Sequence, residues 1–166
     1  MAPKTIFKVA LLAFVTAGCS TSPNENPPKQ YTMAQFMDIV QIGGSSFSPD
    51  ESKIMFSSKE TGIFNAFEVD INDGETRQLT HSTENSVYAN SYFPKDERAI
   101  VQSDKGGNEI THLYVRDTDG AMHDLIKDST AKAQYYGWGH SRELLYYASN
   151  ARDKRFFDVY KIQVNQ

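Results

Sequence analysis

The sequence predicts an all-β fold, and within that class a partial β-propeller, on three observations. A segment of about 46 residues recurs three times, each copy opening on an aromatic residue and running through turn formers into an apolar strand. Asp-Gly dipeptides fall 46 residues apart, at Asp73-Gly74 and Asp119-Gly120, between alternating apolar stretches. Twenty aromatic residues, nine of them Tyr, suit a pleated, half-buried surface better than a helix.

The copies are FSPDESKIMFSSK from Phe47, FPKDERAIVQSDK from Phe93 and WGHSRELLYYASN from Trp138, spaced 46 and 45 residues apart. A further strand follows each at a spacing of 46: FNAFEVDI from Phe64, ITHLYVRD from Ile110 and FFDVYKIQ from Phe156. Each copy therefore reads strand, turn, strand, loop, strand, Asp-Gly turn, strand, which is the content of one propeller blade. IGGSSF, VYANSYF and AQYYGWG are the expected innermost strands. RQLTHS and HDLIKDS are the expected outer edges, with charges that discourage pairing to another chain.

The turn positions singled out are Asp50, Asp73, Gly74, Asp96, Asp119 and Gly120. Glycine takes positive φ without strain, and a short carboxylate can accept a nearby backbone N–H. Blades are expected over about 40–83, 86–130 and 134–166. A third Asp-Gly turn would fall at about residue 165, beside Gln166, so two complete four-stranded blades and an incomplete third are expected. Such a set cannot close a ring, which suggests a section of a longer propeller protein, or one that completes its ring by oligomerising.

Residues 1–18 read as a signal peptide: Lys4 and Lys8 precede the apolar run Val9 to Gly18, which is too short to span a bilayer. The run ends in Thr16-Ala17-Gly18-Cys19, and Cys19 is the only cysteine. This resembles the bacterial lipobox, with Thr16 in place of the usual Leu. The resemblance implies a lipidated Cys19 and a membrane anchor without a transmembrane helix. With Ser20 next, it also implies sorting to the outer membrane of the bacterial envelope, facing the periplasm. Residues 19–30 follow as lipidated cysteine and flexible tether, with three prolines and no aliphatic residue. Thr32 and Gln35 then form a capping box for a short helix, whose Met33, Phe36, Met37 and Ile39 are expected to pack on a blade.

Other chemistry is weakly indicated. A net charge of -4 gives no basic field for nucleic acid. His81, His112, His123 and His140 lack metal-ligand spacing and are expected in exposed or loop positions, and no cofactor motif is present. The stretch from Asp70 to Glu75 echoes a calcium loop, but its glycine is misplaced and a hairpin explains it better. The aromatic pairs Tyr135-Tyr136, Tyr146-Tyr147 and Phe156-Phe157 are expected to pack between blades. Asp104 to Asn108 is a loop that could meet a ligand in a complete propeller. Gly139-His140-Ser141 gives half of a G-x-S-x-G nucleophile elbow, but Glu143 stands where the second glycine belongs and a strand follows instead of a helix. Ser141 therefore reads as a turn residue.

Over residues 31–166 the chain resembles the N-terminal propeller of prolyl-oligopeptidase-family serine peptidases, the group of dipeptidyl aminopeptidases and acylaminoacyl peptidases. The matching stretches are Ser48-Pro49-Asp50, the run SSKETGIFN from Ser57 to Asn65, and RQLT from Arg77 to Thr80. The first of these is shared with TolB-like periplasmic propellers. The resemblance implies a propeller that gates short peptides over a C-terminal α/β-hydrolase domain bearing a Ser, Asp and His triad. No segment of this chain corresponds to that domain, so no catalytic residue is assigned and the chain alone is expected to lack peptidase activity. The alternative is a TolB-like envelope module that binds a protein partner without catalysis.

Overall fold

The computed structural model describes residues 28–164, so the signal peptide and Cys19 lie outside the described residues. Two units are distinguished, one ending at Met37 and one running from Asp38. In the first, α1 (Met33–Met37) begins with the anticipated capping box: Gln35 N–H donates to Thr32 Oγ1 at 3.2 Å, and Thr32 N–H donates to Gln35 Oε1 at 3.0 Å. None of its five residues is buried. Five residues make about one and a half turns, too few to present a continuous stripe.

The second unit is all-β, with three antiparallel sheets that follow one another along the chain. Blade 1 contains β1 (Ile42–Phe47), β2 (Lys53–Ser58), β3 (Asn65–Asp70) and β4 (Thr76–Gln78) in spatial order. Blade 2 repeats the order with β5 (Val87–Tyr92), β6 (Ala99–Ser103), β7 (His112–Arg116) and β8 (Met122–Asp124). Blade 3 has three strands, β9 (Ala133–Trp138), β10 (Leu144–Asp153) and β11 (Phe156–Gln163). The outermost strands β4 and β8 are only three residues long, which limits the open edge each sheet offers.

The core lies between blades rather than within them. Met55, Ala66 and Leu79 of blade 1 meet Val87, Ala89, Tyr92 and Val101 of blade 2. Ile100, Leu113 and Val115 of blade 2, with Ile126 and Ala131 that follow it, meet Ala133 and Leu145 of blade 3. Period-2 alternation accounts for this: Met55 and Ser57 point towards blade 2, whereas Ile54 and Phe56 pair with Val69 and Phe67 on the opposite face. Each inner strand carries a bulge. In β1 the bulge falls at Gly44, at φ 65°, where an added Cβ would stand 2.9 Å from the Ala89 carbonyl oxygen of blade 2.

The first hairpins of the blades close on Phe47↔Ile54, Tyr92↔Ala99 and Trp138↔Leu145. The structural counterpart of Phe47 and Trp138 is therefore Tyr92, one residue before the Phe93 that the sequence register aligns. The cause is Pro94, which has no N–H to give. Ser48 N–H closes the first loop onto Lys53 O and Gly139 N–H closes the third onto Leu144 O, while in blade 2 Phe93 N–H takes that role with Arg98 O at 2.8 Å.

The four turn aspartates make one common contact. Asp50, Asp73, Asp96 and Asp119 each accept the backbone N–H two residues on, from Ser52, Glu75, Arg98 and Ala121, at 2.8 to 3.1 Å. The Asp-Gly hairpins are wider than two-residue turns. Gly74 (φ 75°) and Gly120 (φ 94°) sit at the end of their loops, donating N–H to Asp70 O and Asp117 O. The second has the form of a three-residue loop with glycine in the bulge position. Ser141 occupies the exposed loop of blade 3, where Arg142 adopts φ 59° just as Glu51 adopts φ 60° in blade 1.

Candidate functional site

The three first hairpins converge on one cleft of about 390 Å³. β1–β2 brings Ser46 to Pro49 and Glu51; β5–β6 brings Ser91 to Pro94; β9–β10 brings Trp138 to His140 and Arg142. Turn chemistry places these residues here, because each loop must reverse the chain at the same end of its blade. The cleft wall is aromatic. Phe93 and Trp138 meet edge to face with centroids 5.0 Å apart and planes at 60°, and Arg98 lies 4.3 Å over the Phe93 ring.

Hydrogen bonds between blades fix this wall. Tyr92 N–H donates to Ser46 Oγ at 3.0 Å, and Ser46 Oγ donates in turn to Phe47 O. One blade further on, Trp138 Nε1 donates to Ser91 Oγ at 3.0 Å and to Tyr92 O at 3.2 Å, while Ser91 Oγ donates to Tyr92 O. Behind the wall the Tyr92 hydroxyl donates to Glu68 Oε2 at 2.6 Å, and burial together with that carboxylate pushes the Tyr92 pKa well above the usual phenol range. Glu68 Oε1 is held by Arg77 at 2.7 Å.

At the mouth, Phe47 is 58% exposed, and His140, Arg142 and Glu51 are exposed around it. The aromatic and proline surfaces can take an apolar side chain, and Arg142 and His140 can donate to carbonyl or carboxylate oxygens of an extended segment. Among the described hydrogen bonds none joins His140 to Ser141. Of the residues singled out from sequence, Ser48 and Pro49 line the cleft, Asp50 braces its first loop by accepting Ser48 Oγ at 2.6 Å, and Asp96 braces the second. Asp73, Gly74, Asp119 and Gly120 belong to other hairpins. Trp138 and the serines Ser46 and Ser91 were not singled out as site residues. The signal available for Trp138 was its being the only tryptophan in the chain.

The histidines divide. His81 and His140 are exposed, and His123 on β8 pairs with Asp117. His112 departs from the expectation of an exposed or loop position: it is 5% exposed on β7, with Nδ1 2.7 Å from Asp124 Oδ2. Strand alternation places it on the buried face, where a carboxylate partner satisfies its ring. Among the described residues no three His, Cys, Asp or Glu side chains gather as a metal site requires. The aromatic pairs also differ from one another. Tyr135 and Tyr147 pack into the boundary between blades 2 and 3, but Tyr136, Phe156 and Phe157 are exposed.

Three antiparallel sheets in sequence, with their cores at the boundaries between them, make the chain a partial β-propeller of the all-β class. A solved structure agrees on the fold. The chain is similar to TolB from Acinetobacter baumannii, with a TM-score of 0.60 and 17% identity over 76% of this chain and 30% of that one. It also matches a chain from a study of two prolyl endopeptidases, with a TM-score of 0.42 and 12% identity over 75% of this chain and 27% of that one. The chain thus spans less than a third of either, and at 17% identity the likeness to TolB is one of fold. No protein-family model matches the sequence, and no curated protein matches it significantly.

Proposed function

We propose that this chain is the non-catalytic propeller section of a lipid-anchored bacterial envelope protein, and that it docks an extended peptide or protein segment in the cleft formed by its first hairpins. Support comes from the convergence of all three hairpins on one aromatic-walled cleft with exposed donors at its mouth. Cys19 would carry the anchor, holding the propeller on the periplasmic side of the outer membrane. Docking would bury Phe47, stack apolar side chains or proline rings against Trp138, and leave backbone carbonyls to Arg142 and His140.

Trp138 supplies its own reporter, since the chain has no other tryptophan. Titration with short apolar peptides should change Trp138 emission saturably in the parent chain and far less in Phe47→Ser and Arg142→Ala. A linear, unsaturable response, or an equal response in all three proteins, would remove the docking role.

A second reading is favoured by the run from Ser57 to Asn65 and the close from Arg77 to Thr80. In it the whole protein is a prolyl-oligopeptidase-type serine peptidase, whose propeller gates short peptides over a C-terminal α/β-hydrolase domain. A TolB-like parent would have further blades and no such domain. Reading the codons downstream of Gln166 separates the two: a G-x-S-x-G region within several hundred codons favours the peptidase, and further blades without it favour the binding module.

A further inference from the structure

A second cleft, of about 620 Å³, opens between blades 1 and 2 and shares no lining residue with the hairpin cleft. That volume is within the range of small-molecule sites. Leu79, Val87, Tyr114 and Met122 give it apolar walls, and Arg116 lies half-buried among them.

Among the described residues Arg116 makes no direct ion pair at this boundary. Arg116 Nε donates across the blades to Leu79 O at 2.8 Å, and Nη1 donates to Asp117 O at 3.0 Å. Both acceptors are neutral carbonyls, and among the described residues no carboxylate lies within ion-pair distance of Arg116. The nearby buried carboxylate, Glu68, is already held by Arg77 and the Tyr92 hydroxyl. Glu68 and Asp119 act on Arg116 only through space, without a direct ion pair. Burial, and then the charge of Arg77, push the Arg116 pKa downward. Other charges line the mouth: Lys105 and His81 on one side of the ledger, Asp104 and Asp119 on the other. Both of those carboxylates turn into their own loops, Asp104 accepting Glu109 N–H and Asp119 accepting Ala121 N–H. Arg116 Nη2 donates to no group among the described residues and faces Gly120, where an added Cβ would stand 3.8 Å from it.

We propose that this cleft binds an apolar monocarboxylate, with its carboxylate on Arg116 and its apolar body against Leu79, Tyr114 and Met122. An anion here would give a half-buried guanidinium the direct ion pair that no described carboxylate makes, and a planar guanidinium suits a carboxylate. The same chemistry is offered by an acyl chain and by the C-terminus of an apolar peptide.

Calorimetric titration of the full chain with octanoate and with N-acetyl-Leu-Leu tests the idea and separates the two sources. At least one should bind saturably and tenfold or more tighter than its neutral counterpart, octanol or the peptide amide. Arg116→Gln should abolish the preference for the acid. Because that variant also loses the bond to Leu79 O, Met122→Asp serves as a second, placing a like charge in the wall at a partly exposed position; it should abolish acid binding with the blades intact. Equal binding of acid and neutral forms, no binding of any probe, or unchanged affinity in a folded variant would overturn the proposal. Trp138 emission should stay constant during the octanoate titration, so failure here and failure of docking in the hairpin cleft are read independently.

Discussion

The Tyr92 hydroxyl of blade 2 donates to Glu68 Oε2 of blade 1 at 2.6 Å, with both residues under 10% exposed. This bond joins the two blades and leaves Glu68 satisfied from both sides, by Arg77 and by Tyr92. A buried carboxylate that loses a donor is left with an incompletely solvated charge. Tyr92→Phe should therefore cost about 1.5–3 kcal/mol, the range for a hydrogen bond to a charged group. Urea unfolding at neutral pH measures it, and a loss under about 0.5 kcal/mol would contradict this account.

The same bond sets an alkaline limit. The folded Tyr92 pKa is raised, so the native state holds the phenol proton more tightly than the unfolded chain does. That contribution is complete below pH ~10, the ordinary phenol value, and declines as pH rises beyond it. The unfolding midpoint should fall between pH ~10 and ~12, and fall less steeply in Tyr92→Phe. Some slope should remain, because burial also raises Tyr114, Tyr135 and Tyr147.

Phe47, Tyr92 and Trp138 hold equivalent places in three blades, but only the latter two have a preceding blade to pack on. Trp138→Phe removes the Nε1 bonds to Ser91 and Tyr92 and part of the ring contact with Phe93, and should cost about 2 kcal/mol. Phe47→Ala, at an exposed position, should stay within about 0.5 kcal/mol. Equal costs at the two sites would mean that Phe47 is covered in solution.

Much of this fold was legible in sequence because strand alternation and turn chemistry are local. FSPDESKIMF shows its aromatic, its turn and its strand to any reader, and the hairpins at Asp73 and Asp119 are where Asp-Gly places them. The register of blade 2 was not legible in the same way. Pro94 removes one donor, and that shift by a single residue exchanges Phe93 for Tyr92 at the blade boundary. The site was harder still, since the partnerships of Ser46 with Tyr92 and of Ser91 with Trp138 span 46 and 47 residues and exist only when the blades stack. His112 misled for a related reason: its partner Asp124 lies on the neighbouring strand, in a pairing that spacing along the chain does not announce.

Glycines at positive φ separate two kinds of constraint. Gly74, at φ 75°, has open space around its added Cβ, so Gly74→Ala should cost only the left-handed backbone penalty, about 1 kcal/mol. Gly44, at φ 65°, has the Ala89 carbonyl oxygen 2.9 Å from its added Cβ. A backbone oxygen cannot swing away as a side chain would, so Gly44→Ala should cost about 1–3 kcal/mol more than Gly74→Ala, the typical cost of overpacking. Chemical unfolding of both variants compares them directly; equal losses would show that blades 1 and 2 separate easily at this point.

Asp50 gives the acid counterpart of the Tyr92 prediction. The Ser48 hydroxyl first, then the Ser52 N–H and hydroxyl, hold its carboxyl at a pKa of about 2, below the ordinary 3.8. A lowered pKa means that its contribution is present above pH ~4 and is lost as pH falls towards 2. Asp128, held at about 2 by Thr130 and Lys154, should titrate in the same window. Asp50→Asn should therefore be less stable than the parent at neutral pH and lose less on acidification from pH 4 to 2. Ser48→Ala, which removes the leading donor, should move the Asp50 carboxyl back towards its ordinary pKa, a shift that carboxyl-carbon NMR can follow. Since Ser48 Oγ also accepts Lys53 N–H at 3.0 Å, the same substitution should loosen the first hairpin of the cleft. If the Asp50 carboxyl titrates near pH 4 in the parent chain, the hydrogen-bonded turn assigned to Ser48-Pro49-Asp50 is not the one populated in solution.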